Sequence, residues 1–142
     1  MAPTRTGLGI VSTFELPIIP DDRGSLTFIE GERHVPFSIE RVYYVYDVPV
    51  NSRRGGHAHA ELEQVLIAVS GSLDVIVDDG ASRQTFGLSK PAQGLYIGPM
   101  VWREMENFSR GAVCLVIASR LFEESDYFRD YDVFTRALAD RS

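Results

Sequence analysis

A single cysteine, Cys114, rules out any disulfide within the chain. Its place in the apolar run Ala112 to Ala118 reads as a buried core thiol, not a nucleophile. Lys90 is the only lysine. The other basic residues are arginines, and the formal net charge is −6. An acidic chain with no basic run and no repeated stacking aromatics is unsuited to nucleic acid. A small anion stays open, because a few converging arginines can hold a phosphate whatever the overall charge. Arg23, Arg53, Arg54 and Arg103 are candidates. No stretch approaches the ~18 apolar residues of a membrane span, and the N-terminal residues have no signal-peptide core of about 7–15 apolar residues. The expectation is a cytoplasmic chain without a membrane partner.

Histidine is also scarce, and its placement is informative. Of three histidines, His57 and His59 stand two apart in Arg53-Arg54-Gly55-Gly56-His57-Ala58-His59. On a strand, residues i and i+2 share a face, so both imidazoles would enter one cavity. An unperturbed pKa of about 6.5 suits histidine to proton transfer near neutrality. The pair is therefore either an acid–base device or half of a metal site. The double glycine would let a ligand approach the backbone. His34, beside Val35-Pro36, reads as a surface loop residue.

Short strand-like runs fill the chain: Gly9 to Ile19, Ser25 to Glu30, Ile39 to Val48, Gln64 to Val69, Ser72 to Val77, Gln84 to Leu88, Gly94 to Ile97 and Ala112 to Ser119. Ser70-Gly71 carries a hairpin signal, and Asp78-Asp79-Gly80 marks a turn. From about Glu123, Tyr127, Phe128, Tyr131, Phe134 and Leu138 recur at helical spacing, with Ser125 as N-cap. The expected architecture is all-β: one domain over 1–142, an antiparallel sandwich or barrel of jelly-roll type, closed by one helix over 123–142.

The pattern resembles the metal-binding cupins, whose first motif runs Gly, His-x-His, a carboxylate and Gly. Here Gln64 stands at the carboxylate's spacing, with six residues before Gly71. Glu63 is one residue early and would face away on a strand. The third metal histidine aligns with Arg103, which offers no lone pair. With two of four ligands replaced, the expectation is a pocket without metal or other cofactor. Two histidines and a tyrosine (Tyr43, Tyr44 or Tyr46) suffice for isomerisation next to a carbonyl through an enediol. A neutral imidazole abstracts the proton next to the carbonyl, and a second acid returns it to the neighbouring carbon.

Further motifs make the chain similar to the dTDP-4-keto-6-deoxyglucose 3,4-ketoisomerases, small cupins of deoxysugar biosynthesis. These are Arg23-Gly24-Ser25-Leu26, Pro36-Phe37-Ser38-Ile39, Arg41-Val42-Tyr43-Tyr44, Arg54-Gly55 with His57-Ala58-His59, and Leu62-Glu63-Gln64-Val65-Leu66. Gly94-Leu95-Tyr96, Trp102 with Glu104-Met105, and Asp126-Tyr127 through Tyr131-Asp132 complete the set. The resemblance implies a dTDP-4-keto-6-deoxyhexose substrate and a 3-keto product passed to a PLP-dependent aminotransferase. It implies His57 as the base at C3, His59 as the relay toward C4, and Tyr43 as an active-site tyrosine. It also implies Arg23, Arg54, Gln64, Trp102 and Arg103 as substrate-binding residues, and a homodimer exchanging its N-terminal strands within 1–20. Arg23 matches members giving the galacto configuration at C4 and Arg103 those giving the gluco form, so both stay open. The alternatives are a dTDP-sugar 3,5-epimerase-like cupin, a family that is longer and pairs its base with an aspartate, and a non-catalytic sugar-binding cupin. Neither epimerase feature is evident in this sequence. A metal-dependent dioxygenase ranks last, on ligand count.

Overall fold

The computed structural model describes residues 11–141, so Gly9 and Ile10 of the first expected strand, and Ser142, lie outside it. The strands are β1 (Val11–Glu15), β2 (Ile19–Asp21), β3 (Gly24–Leu26), β4 (Arg41–Val45), β5 (Arg54–His59) and β6 (Gln64–Ser70). They continue as β7 (Leu73–Asp78), β8 (Arg83–Leu88), β9 (Gln93–Ile97), β10 (Trp102–Glu106), β11 (Val113–Ala118) and β12 (Tyr127–Phe128), and the helix α1 (Tyr131–Arg141) closes the chain. One antiparallel sheet has the order β1-β9-β6-β11-β4, the other β12-β5-β10-β7-β8. The hairpin β2–β3 joins neither. No ladder among the described residues links the two large sheets, so the jelly roll is a sandwich, not a closed barrel.

The inner faces enclose Leu66 and Ala68 of β6, Val75 and Val77 of β7, Leu95 and Ile97 of β9, Met105 of β10, and Cys114 and Val116 of β11. Burial pushes the Cys114 thiol up to about 12, as a core thiol requires. Two residues back along these inward rows, Leu66 gives way to Gln64, Met105 to Arg103 and Val45 to Tyr43. Strand alternation thus carries the apolar core into a polar end. The functional site lies there.

Three readings of the sequence are corrected. Ser70-Gly71 is not a hairpin, because β6 and β7 belong to different sheets. Gly71 turns the corner at φ 67°, where a Cβ would meet Ala112 Cα at 2.9 Å. The helix starts at Tyr131, not near Glu123. Its N-terminus is capped by Asp130, whose Oδ1 accepts from the Val133 N–H at 3.0 Å, while Ser125 lies in a 3-10 turn. The residues before the helix instead run antiparallel to β5 as β12, pairing Tyr127 with His59. Finally, the expected strands omitted β10, whose sequence Trp-Arg-Glu-Met-Glu hides an alternating pattern behind charge.

Candidate active site

His57 and His59 project from β5 on the same side. Ala58 points the other way, into a cluster with Met100, Trp102 and Phe134 beneath α1. The imidazoles stand edge to face, with centroids 4.8 Å apart, and Tyr127 of β12 lies 5.1 Å from His57 and 4.3 Å from His59. Gly55 and Gly56 both have positive φ, and β10 slips register opposite them between Arg103 and Glu104. A Cβ on Gly55 would lie 3.2 Å from the Arg103 carbonyl oxygen. The double glycine therefore serves the strand's own bulge as well as opening the cavity.

That cavity has a volume of about 340 Å³, and its walls include Arg41, Tyr43, Arg54, His57, Tyr127 and Arg129. Behind it runs an oriented polar chain. Arg103, fully buried, donates from Nη1 to Gln64 Oε1 at 2.5 Å and from Nε and Nη2 to the Val101 carbonyl. Gln64 Nε2 then donates to the Tyr43 hydroxyl oxygen at 3.0 Å. Arg103 thus fixes the Gln64 amide orientation, which leaves the Tyr43 proton free to donate outward. Desolvation raises the Tyr43 pKa, so the phenol stays protonated.

Both histidines are neutral near pH 7. Burial, reinforced by the Arg103 charge, pulls His57 down to about 3 and His59 to about 2. The Nε2 of each has no protein partner. A buried imidazole nitrogen with nothing to bond is where a substrate hydrogen or hydroxyl fits.

Donor chemistry decides against a metal. Arg103 is cationic at the position of a third ligand, and its guanidinium occupies the carbonyl oxygen of Gln64. Glu63, the neighbouring carboxylate, faces the opposite side and accepts a hydrogen bond from Tyr96. These residues do not fit a metal ion.

Not every expected site residue comes together. Tyr43, Arg54, Gln64 and Arg103 surround the histidines, whereas Trp102 and Arg23 do not. Trp102 points away from Arg103, as strand alternation demands. It packs 5.3 Å from the Tyr131 ring and donates from Nε1 to Glu104 Oε2. Arg23 sits on the β2–β3 hairpin with its side chain 89% exposed, paired to Asp21 at 2.8 Å. Conversely, Arg41, Arg129 and Asp126 fall within the family motifs but carried no expected site role. Asp126 accepts the backbone N–H groups of Glu61 and Leu62, and its Oδ2 lies 3.3 Å from His59 Nδ1 without hydrogen-bond alignment. An aspartate beside one of the paired histidines is thus present after all. Its distance along the chain from His59 had hidden it.

Fold and site together define a cupin-type jelly roll whose cavity is lined by His57, with His59 buried behind it, both neutral and backed by an arginine–amide–tyrosine chain. The family described as FdtA, WxcM-like, C-terminal, matches residues 10–139, and the chain belongs to it. It is 50% identical over 121 residues to a TDP-4-oxo-6-deoxy-alpha-D-glucose-3,4-oxoisomerase of Aneurinibacillus thermoaerophilus, covering 85% of this chain and 87% of that one. Among solved structures, the 3,4-ketoisomerase QdtA from Thermoanaerobacterium thermosaccharolyticum, a variant in complex with TDP-4-keto-6-deoxyglucose, aligns with TM-score 0.90 and 41% identity over 92% of this chain and 95% of that one. The WlaRB TDP-quinovose 3,4-ketoisomerase of Campylobacter jejuni aligns with TM-score 0.85 and 49% identity over 89% and 97%. The likeness to a dTDP-4-dehydrorhamnose 3,5-epimerase of Bacillus anthracis, at 13% identity and TM-score 0.75, is one of fold alone.

Proposed function

We propose that this chain is an enzyme, a TDP-4-keto-6-deoxyglucose 3,4-ketoisomerase of deoxysugar biosynthesis, working by histidine acid–base transfer without a metal. The observation that carries the reading is the pair of neutral imidazoles, 4.8 Å apart, His57 on the cavity wall and His59 buried behind it, each with an unbonded Nε2. The names of relatives at 41–50% identity support the substrate and the reaction.

The chemistry balances within the sugar. His57 takes the hydrogen at C3, made acidic by the C4 ketone, as a proton. The electron pair moves to O4, where the Tyr43 O–H stabilises the developing charge. O4 gains a proton and O3 loses one to give the other enol form, and delivery of a proton to C4 through His59 leaves the ketone at C3. No redox partner is consumed. Each acid–base step is worth roughly 10²–10⁴ in rate.

Incubating the protein with TDP-4-keto-6-deoxyglucose in deuterated water tests this. Label at C4 with a new 3-ketone is expected, and product NMR also reads the C4 configuration. Label at C5 would point to a 3,5-epimerase, and no turnover to a sugar-binding cupin. Activity lost to a chelator and restored by iron would defeat the metal-free mechanism.

A homodimer with exchanged N-terminal segments belongs to the same proposal, although residues 1–10 lie outside the described part. Its support is the β2–β3 hairpin, exposed along both strands with Ile19 and Leu26 in the open. Edge strand β4 also shows Val42 and Tyr44 to solvent, next to the exposed Tyr46. Light scattering should give twice the 15.9 kDa chain mass; a monomer at micromolar concentration would refute the exchange. An activated sugar nucleotide is made where nucleotides are, which supports a cytoplasmic location. Among the described residues no helix is long and apolar enough to cross a membrane.

A further inference from the structure

The loop after β5 is stitched to the residue that precedes β12. The Ala60 N–H donates to the Asp126 carbonyl at 2.8 Å, and the Glu61 and Leu62 N–H groups donate to Asp126 Oδ1 and Oδ2 at 2.9 and 3.2 Å. One residue on, Tyr127 pairs with His59 across the β5–β12 ladder, its ring centroid 4.3 Å from that of the imidazole. These bonds fix the carboxylate in place. Its side chain is 6% exposed, and Oδ2 lies 3.3 Å from His59 Nδ1.

His59 is fully buried, and neither of its ring nitrogens has a hydrogen-bond partner. Desolvation and the Arg103 charge keep the ring neutral, so it carries one proton on one of two nitrogens. The carboxylate decides which. With the proton on Nε2, the Nδ1 lone pair would stand 3.3 Å from a carboxylate oxygen, a repulsion that a buried site screens poorly. The Nε2–H would also be a buried donor without an acceptor. With the proton on Nδ1, the positive end of the N–H dipole lies on the carboxylate side, even without full hydrogen-bond alignment. Only an acceptor is then left unpaired, at Nε2.

We propose that Asp126 is a positioning residue for the reaction: it selects the Nδ1–H tautomer of His59 and leaves the Nε2 lone pair as the working atom. The proposal rests on the ketoisomerase reading for what that lone pair does, and on the geometry of Asp126 for where the proton sits. A lone pair at Nε2 makes resting His59 an acceptor, which must take a proton before it can give one. The proton that reaches C4 is then the one released from the O3 hydroxyl. O3 loses what C4 gains, and the ring returns to its resting tautomer. Between the two transfers His59 is an imidazolium, and the Asp126 charge beside it stabilises that form.

The test is NMR of the histidine rings in the isotope-labelled full chain near pH 8, for wild type and Asp126→Asn, with kcat and TDP affinity measured on both. His34 supplies the opposite reference in the same spectrum, because its Nδ1 accepts the Glu30 N–H at 2.8 Å and its proton must sit on Nε2. Wild-type His59, identified by the signals missing from His59→Gln, is expected to carry its proton on Nδ1. In Asp126→Asn the charge is gone and the amide can turn its NH2 toward Nδ1, so the proton should move to Nε2. There kcat should fall about 10²-fold, the lower end of one acid–base role, with TDP affinity within about threefold of wild type. An Nε2–H tautomer of His59 in wild type overturns the proposal, and that spectrum decides alone if Asp126→Asn fails to fold. A folded Asp126→Asn that keeps wild-type kcat, or loses TDP affinity in step with kcat, overturns it as well. If wild type leaves the keto sugar unchanged while His59 carries its proton on Nδ1, the ketoisomerase reading falls and the tautomer assignment stands.

Discussion

Replacing His57 by Asn is expected to lower turnover at least 10²–10⁴-fold, the value of one acid–base role, while TDP binds with nearly wild-type affinity. The two effects separate because the side chain has separate surroundings on its two sides. Its Nε2 bonds to nothing in the protein, so no internal hydrogen bond is lost with that atom. The arginines of the cavity wall, Arg41, Arg54 and Arg129, are separate side chains that the substitution leaves in place. Asparagine is smaller and polar but cannot accept and hold a proton near neutrality. Single-turnover product analysis and a TDP titration on the same preparation check both halves. Turnover at the wild-type rate would remove His57 from the mechanism, and loss of TDP binding would make it a binding residue. Replacing His59 by Asn offers a second readout. The C3 hydrogen should still exchange with solvent while the 3-ketone accumulates slowly, because His59 is assigned to delivery at C4.

The second large effect is acid lability. Both histidines are depressed well below their unfolded pKa of about 6.5, to about 3 and about 2. Between pH 6.5 and 3 the unfolded chain therefore binds up to two protons that the native cavity refuses. Stability rises with pH across that window and is lost as pH falls through it, at up to about 3 kcal/mol per pH unit for two protons. By pH 5 the two sites together would cost about 4 kcal/mol, a large share of the 5–15 kcal/mol typical of a folded domain. Urea unfolding at pH 7, 6 and 5 measures the slope. His59→Gln should reduce it by close to one proton's worth, and TDP should shallow it by stabilising the imidazolium forms. A midpoint that stays flat from pH 7 to 4.5 would show that the histidines are not kept neutral by the fold.

Strand content, the His57–His59 pair and the replacement of two metal ligands were all readable in the sequence, because each depends on spacing within a few residues. Tyr43, Tyr44 and Tyr46 could not be separated by composition. Burial of the Tyr43 side of β4 and exposure of Tyr44 and Tyr46 separates them. Trp102 came from the family resemblance as a substrate-binding residue; on β10 it faces away from Arg103, as alternation along a strand requires, and packs against Tyr131. Arg41 looked like any of the chain's arginines until the neighbouring Tyr43 ring, the distant Phe122 ring, a cavity and the absence of an acceptor marked it out. Asp126 escaped for the same reason, its partner lying on another strand.

What the sequence alone determined was local and periodic: an all-β chain ending in a helix, two imidazoles on one strand face, and a motif whose metal-binding positions carry an amide and a guanidinium. The tertiary structure alone decided which tyrosine and which arginines line the cavity beside His57, which carboxylate lies behind His59, and that both imidazoles are held neutral. The physical reason is that pKa and hydrogen-bond satisfaction depend on what approaches through space. Here those neighbours come from β4, β6, β10 and β12, segments that only folding brings to one end of the sandwich.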